Sequence, residues 1–279
     1  MNQEVFGPEH YKTKFDPEAY LNHYYSSSFP AFYDGNSVCS EAIRDGVRLS
    51  LFALPNFAKK LENEMPESER QTLIDIGAGP TVYSAICFRN TVKRVILTDY
   101  LQKNLDVIQD WLDEKNNRFE WNGVIQIVSR VEGSGLCADL QKIETESRRV
   151  IQNGGVYISD VHLDACGLEP STSMPKIDVL VSVFCLESAC STHQQYREAM
   201  KHMLQLLRPG GRVIIGSVID DDRYNSGKLR MFTLLSVTEE EIICELRKNN
   251  IDTTENKLHK IILDDQGVMF LMGVKKLDY

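Results

Sequence analysis

One stretch decides what this chain can fold into: Thr72–Tyr100, TLIDIGAGPTVYSAICFRNTVKRVILTDY. It reads as strand, glycine turn, helix, strand and acid, in that order. Leu73, Ile74 and Ile76 make a short buried strand, and Gly77-Ala78-Gly79 makes a turn where the backbone must come close to something. Pro80 suits a first helical turn, where its missing N–H costs nothing, and a helix is expected from about Thr81 to Arg89. A second strand, Val95–Thr98, ends at Asp99. This is the front of an open α/β sheet, which holds ligands beyond the carboxyl ends of its strands.

The glycines narrow the ligand. A dinucleotide fingerprint needs a third glycine where this chain has Val82, and a phosphate-cradling loop needs a Gly-Lys-Ser/Thr ending that does not follow Gly79. What remains suits a nucleoside without phosphate. The turn would close over its aliphatic part, and Asp99 would accept both ribose hydroxyls. S-adenosylmethionine is such a ligand. Asp160, closing a later strand, adds a second acid on the same edge.

The 279 residues are long enough for a sizeable core, and 42% apolar with 25% charged residues is globular composition. A net charge of −9, with Lys and Arg scattered, disfavours nucleic acid and anionic membrane as partners. Seven cysteines without C-x-x-C spacing predict reduced, mostly buried thiols in a cytoplasmic protein and no metal site. The opening MNQEVFGPEHYKTK lacks the apolar stretch of a secretory leader. The longest nearly apolar run, Val179–Leu186, is too short to span a bilayer.

Before the first strand the chain reads as helix. Asp16-Pro17 opens EAYLNHYYSS, whose Tyr20, Tyr24 and Tyr25 fall at helical spacing, and a second helix is expected from Ser37 or Ser40 to Glu62. Alone, the tyrosine stripe would read as core packing. After Tyr100 come an amphipathic helix with Leu101, Leu105, Ile108 and Leu112 on one face, a strand at Val124–Val131, and a charged, exposed helix at Ala138–Ile151. Val156–Ser159 and the nearly all apolar Ile177–Phe184 read as strands, the latter central. A helix at Tyr196–Leu207, stopped by Arg208-Pro209-Gly210-Gly211, leads to a strand at Arg212–Val218. Thr238 and Glu241 form a capping box for a helix ending near Asn249, and Lys257–Leu263 with Val268–Lys275 should pair as an antiparallel hairpin. The expected architecture is α/β, a Rossmann-like, mostly parallel seven-stranded sheet with a C-terminal hairpin and an N-terminal helical lid. That is the architecture of class I methyltransferases, expected as one domain over 1–279, with a cap at 1–70 and the sheet core at 71–279.

Dispersed motifs then converge. LIDIGAGPTVY, the TDY at 98–100 with Asn104, FDPEAYLNHYY, the DVH at 160–162, VSVFCLESA and LLRPGG together resemble one family, the small-molecule N-methyltransferases typified by the phenylethanolamine, nicotinamide and indolethylamine enzymes. The resemblance implies that Tyr20 and Tyr25 reach the methionine carboxylate of S-adenosylmethionine, helped by Tyr11, Thr81 and Tyr83. It implies that Gly77 and Gly79 line the methionine part, that Asp99 takes the ribose, and that Tyr100 stacks on adenine with Asn104 nearby. Asp160 and Val161 would meet the adenine edge, and Val183 joins the cofactor side. On the acceptor side it implies two acids around a substrate amine, Glu187 and Asp221, with Tyr224 and an acid from Asp264 or Asp265 close by. Phe184 would help set acceptor size. The nicotinamide enzyme has an aspartate where this chain has Ser217, which weakens nicotinamide as the acceptor.

Chemistry supports the same division. Methyl transfer from a sulfonium is an in-line displacement in which a protein mainly aligns the reactants. A pyridine nitrogen has a free lone pair, whereas an alkylammonium, with a pKa of about 10 judged from lysine, must lose a proton first. Carboxylates can attract that cation and take its proton. The leading expectation is a monomeric enzyme that methylates a small-molecule amine. Alternatives are a pyridine nitrogen or thioether acceptor, or a catalytically silent paralogue that binds S-adenosylmethionine. Without the resemblance, Asp220-Asp221-Asp222 reads as a solvated acidic loop.

Overall fold

The computed structural model describes residues 5–26, 46–134, 138–168, 177–219, 221–228, 230–263 and 267–277. Its strands in chain order are β1 (Val5–Phe6), β2 (Thr72–Ile76), β3 (Arg94–Asp99), β4 (Gly155–Ile158), β5 (Ile177–Val183) and β6 (Leu207–Val218). They are followed by β7 (Arg223–Asn225), β8 (Met231–Thr233), β9 (Ile251–Asp252), β10 (His259–Leu263) and β11 (Val268–Lys275). Eight strands form one sheet in the order β10-β11-β6-β5-β2-β3-β4, with β9 on β11. β2 to β6 pair in parallel, and β11 enters antiparallel between β6 and β10. The expected sheet thus gains one short strand, β9.

The topology fixes where a ligand can sit. The chain runs outward from β2 through β3 to β4, then returns to lay β5 on the other side of β2. The strand order therefore reverses at β2, and the carboxyl ends of β2, β3 and β5 open on one crevice. β2 and β5 are buried along their whole length, as central parallel strands must be.

One face of the N-terminal helix is anchored in this body. Asp16 caps the helix Pro17–Tyr24 by accepting the Ala19 amide. Leu21, Tyr24 and Tyr25 then share one apolar core with Leu73, Val95 and Val181 of the sheet and with Leu54, Phe57 and Leu61 of the helix Gly46–Glu64. The tyrosine stripe is both core and cavity wall. The expected start of the longer helix at Ser37 or Ser40 lies outside the described residues.

Three local expectations are corrected. Val124–Val131 is no strand: Asn122–Val131 is a helix that buries Val124, Ile125, Ile127 and Val128. β-Branched residues favour strands, yet apolar positions three and four apart fit a helical face, and the place beside β3 is filled by β4. The helix Leu140–Gly154 is not simply exposed. It buries a Glu144–Arg148 ion pair at 2.7 Å, and Trp111 Nε1 donates to the same carboxylate at 3.1 Å. Finally, Pro80 precedes the short helix Tyr83–Phe88 and does not enter it. The capping box at Thr238 and the terminal hairpin are found as expected.

A second, three-stranded sheet of order β1-β8-β7 stands apart. Its strands are two or three residues long, too short for alternation to mark them.

Because Leu21 is buried to 1% exposure in the main core, Leu21→Ala should destabilise the whole chain by about 2–5 kcal/mol. A urea titration followed by tryptophan fluorescence measures this. A loss below about 1 kcal/mol, under the range for such truncations, would mean the N-terminal helix is a detachable cover.

Candidate active site

A cavity of about 360 Å³ opens over the carboxyl ends of the parallel strands. Small-ligand sites are usually of this order, with a few polar groups fixing orientation in a mainly apolar wall.

Its floor is the turn after β2. Gly77 has φ +78°, and a β-carbon there would lie 2.2 Å from Cys185 Sγ. Gly79 has φ +63° and nothing within 4 Å of where its β-carbon would be, so that side of the turn faces open space. Both positions demand glycine, the first for packing and conformation, the second for conformation alone. Thr81 Oγ1 donates to Ala78 O at 2.7 Å and ties the turn.

Asp99 is the electrostatic centre. It ends β3 at 4% exposure and still lines the cavity. Its Oδ2 accepts from Gly79 N at 2.9 Å, and its Oδ1 accepts from Leu101 N at 2.8 Å and Asn104 Nδ2 at 2.9 Å. Burial raises its pKa, and those donors oppose the shift. Further below, Asp75 is pushed up to about 7 by burial, with Asp99 adding to the shift.

The roof is phenolic. Tyr11, Tyr20, Tyr83 and Tyr224 all line the cavity, and burial raises each phenol above its ordinary value. They therefore keep their protons and stand as donors for an anionic group. Behind the lining, Tyr25 Oη and Asn104 Oδ1 are buried without a hydrogen-bond partner among the described residues. Such atoms are costly unless a ligand or water meets them. Thr81, Tyr100, Asp160, Val161 and Val183 complete the expected cofactor side of the wall. Tyr100 is 40% exposed and carries Lys12 Nζ 4.3 Å from its ring centre. His162 lines the cavity too, and its Nε2 is held as a donor to Ala189 O at 3.1 Å.

The expected acceptor side is more divided. Phe184 and Tyr224 line the cavity, joined by Val218 and Leu234. Phe184 holds φ +56°, a left-handed conformation that costs a bulky residue roughly 1–3 kcal/mol. Its amide donates to Gly216 O at 2.8 Å, and its ring meets Phe270 edge-on. Glu187 lies just behind this wall at 2% exposure, and its Oε1 accepts from Val218 N at 2.8 Å. Burial raises its pKa to about 7, against the pull of the Val218 amide. Ser217 is buried with its hydroxyl on Val218 O at 3.1 Å. Asp221 is exposed and accepts from Asp222 N at 2.7 Å. Neither Glu187, Ser217 nor Asp221 is on the lining. Asp264 and Asp265 lie outside the described residues.

Sequence reasoning passed over Phe15, Cys185 and Leu234, which also line the cavity. Cys185 is the packing reason for Gly77. No motif marked Leu234, because its place depends on the short second sheet. Among the described residues, no group of His, Cys, Asp and Glu could hold a metal, and no helix is long and apolar enough to cross a membrane.

Comparison with known proteins identifies relatives of the whole chain. The profile of the NNMT/PNMT/TEMT family matches residues 3–276. The chain is 30% identical over 279 residues to a nicotinamide N-methyltransferase of Caenorhabditis elegans, covering 99% of this chain and 94% of that one. It is 33% identical over 177 residues to the phenylethanolamine N-methyltransferase of Homo sapiens, covering 63% of this chain and 61% of that one. Among solved structures, magnesium protoporphyrin IX methyltransferase from Synechocystis PCC 6803 with bound SAM superposes with a TM-score of 0.56 at 11% identity. That superposition covers 96% of this chain and 95% of the other.

Two outcomes test the site. Asp99→Ala should weaken S-adenosylmethionine binding at least about tenfold in calorimetry, since charge-assisted bonds are worth about 1.5–3 kcal/mol each. Unchanged affinity in a folded variant would remove Asp99 from the site. The second is a pH effect. A Glu187 raised from 4.5 to about 7 holds a proton in the folded chain that the unfolded chain has lost, so its share of stability falls as pH rises across that window. Glu187→Gln should gain melting temperature on the wild type between those two values, and a constant difference would refute the assignment.

Proposed function

This chain belongs to the NNMT/PNMT/TEMT family, and on that premise we propose that Glu187 and Asp221 serve the nitrogen of a small amine held in the cavity. S-adenosylmethionine is the methyl donor of this enzyme. The observation that carries the reading is a cavity with two unlike ends. At one end stand Asp99 with its three donors and a set of protonated phenols; at the other are Phe184, Tyr224 and Leu234.

When bound, the donor supplies a methyl group already activated by a positively charged sulfur. The chain's own residues then have limited tasks. Asp99 accepts the ribose hydroxyls, and Gly79 leaves the room its empty side provides. Tyr11, Tyr20 and Tyr83 donate to the methionine carboxylate, with Tyr25 and Thr81 behind them. Asp160 and Val161 face the adenine edge, and Tyr100 covers its ring. The acidic wall suits a cationic donor, because opposite charges attract strongly where water is scarce.

On the acceptor side Phe184 and Tyr224 hold an apolar body in place. An amine arrives protonated, and Asp221, exposed two residues before the start of β7, draws that cation inward. Glu187, with a pKa near neutrality, is matched to taking its proton. It sits one residue before the lining residue Ser188, so the proton reaches it through water or after the carboxylate leaves Val218 N.

A pyridine acceptor has one observation in its favour: no acid on the acceptor side lines the cavity among the described residues, and a pyridine needs none. Ser217 in place of an acid speaks against it. Glu187→Gln should reduce labelled-methyl transfer to phenylethylamines by about 10²-fold, the low end of general-base effects, Asp221→Ala by only a few-fold as an exposed attracting charge, and both should leave a pyridine acceptor nearly unaffected. Wild-type rates with the amine should climb from about pH 7 to 9 as its free base accumulates. Nicotinamide should be a poor acceptor that Ser217→Asp improves. Efficient nicotinamide methylation, indifferent to Asp221→Ala, would put the pyridine reading first.

A further inference from the structure

The cap that covers the donor end and the hairpin that walls the acceptor end are one body. β1 pairs in parallel with β8, which matches Val5 with Met231 and Phe6 with Phe232. Phe6, Phe15 and Phe232 form a small apolar cluster with Leu101, against which Tyr11, Tyr20 and Tyr224 pack. Tyr224 stacks on Phe232 at 5.7 Å, and Tyr11 meets the same ring edge-on at 5.8 Å. The turn between β7 and β8 presses on the cap helix. Gly227, at φ +96°, leaves only 2.5 Å between a would-be β-carbon and Ala19 O. Tyr24 Oη donates to Asn225 O at 2.6 Å.

Asp16 lies at the centre of this junction. One carboxylate oxygen caps the helix through Ala19 N at 3.0 Å. The other faces Lys228 Nζ at 3.2 Å and Arg230 Nη1 at 3.5 Å, both from the connection between β7 and β8. Arg230 also donates to Lys14 O at 3.2 Å. Capping needs no charge, since an asparagine caps as well. The two cations recruited from more than 200 residues away need it.

We propose that Asp16 is a positioning residue that latches the cap to the β7–β8 hairpin, so that donor and acceptor ends open and close through a single gate. The inference rests on the donor and acceptor reading of the two ends. Binding at the donor end pulls on Tyr11, Phe15 and Tyr20, and the latch passes that ordering to Tyr224. An enzyme built this way seals both reactants together, which excludes water and aligns them in one movement.

Hydrogen exchange with S-adenosylhomocysteine tests this without any acceptor. In wild-type protein the ligand should slow exchange at amides of the cap and of residues 223–233 alike. Asp16→Asn keeps the helix cap and should lower the melting temperature by no more than a few degrees, yet lose about threefold to tenfold of the hairpin protection, as expected for two partly exposed ion pairs. Arg230→Gln, which leaves the capping residue untouched, should lose hairpin protection in the same direction. In steady state, KM for S-adenosylmethionine and for a phenylethylamine should rise together in both variants. Protection confined to the cap in wild type, or hairpin protection intact in Asp16→Asn, would overturn the latch. No S-adenosylhomocysteine binding at all would overturn the donor reading and the latch with it.

Discussion

A carboxylate buried at the end of a central strand must be met by donors, and much of the donor end is arranged around meeting Asp99. Its three partners come from three places: the glycine turn after β2, the first residue beyond Tyr100, and the helix Gln102–Leu112. Asn104 passes the connection on to Tyr11 Oη at 3.4 Å and so to the cap. The requirement to satisfy one buried charge therefore sets the turn's conformation, the start of a helix and the height of the roof. Burial disfavours the ionised form, while the donors stabilise it. Lone pairs left over on the cavity side are then available to hydroxyl groups of a ligand.

The cap shows how one set of side chains can serve stability and binding. Tyr24 and Tyr25 fill the main core, whereas Tyr20, on the same helix, packs on that core and also reaches the cavity. Helical spacing puts neighbouring residues on different faces, so the aromatic run looks outward to the ligand and inward to the sheet. Burial keeps the phenols protonated, and their rings supply apolar area without a charge that would need its own partner.

Legibility in the sequence followed the length and regularity of each element. The unit from Thr72 to Asp99 declared itself because a strand, two obligatory glycines and a terminal acid each have a distinct physical cause. The capping box at Thr238 and Glu241 and the hairpin around residues 264–267 were equally plain. The helix Asn122–Val131 was missed because its β-branched content masked a helical spacing that only packing against neighbouring helices makes decisive. β1, β7 and β8 could not be read, since strands of two or three residues carry no period. Gly77, Gly79 and Asp99 could be placed at the cavity from the sequence because backbone geometry dictates them, whereas Tyr11, Tyr20 and Val161 were named only through the family resemblance. Glu187 was identified without its place behind the wall, since that depends on where Val218 N falls.

This difference extends to how such a fold can change its chemistry. The donor end is held by backbone amides of Gly79 and Leu101 and by glycines with no alternative, so substitution there damages the fold and the ligand site at once. The acceptor end depends on the left-handed Phe184, the short β7–β8 hairpin and acids standing off the lining. Phe184 is anchored by its amide on Gly216 O, by the Ser188 hydroxyl on its own carbonyl and by the Phe270 ring, and the hairpin by its own three pairs and its contacts with the cap. Most of these anchors lie outside the ladders of the large sheet, so side chains there can be exchanged without disturbing its strands. The two ends of the cavity are thus secured by different kinds of bond, backbone amides at one and mainly side-chain contacts at the other.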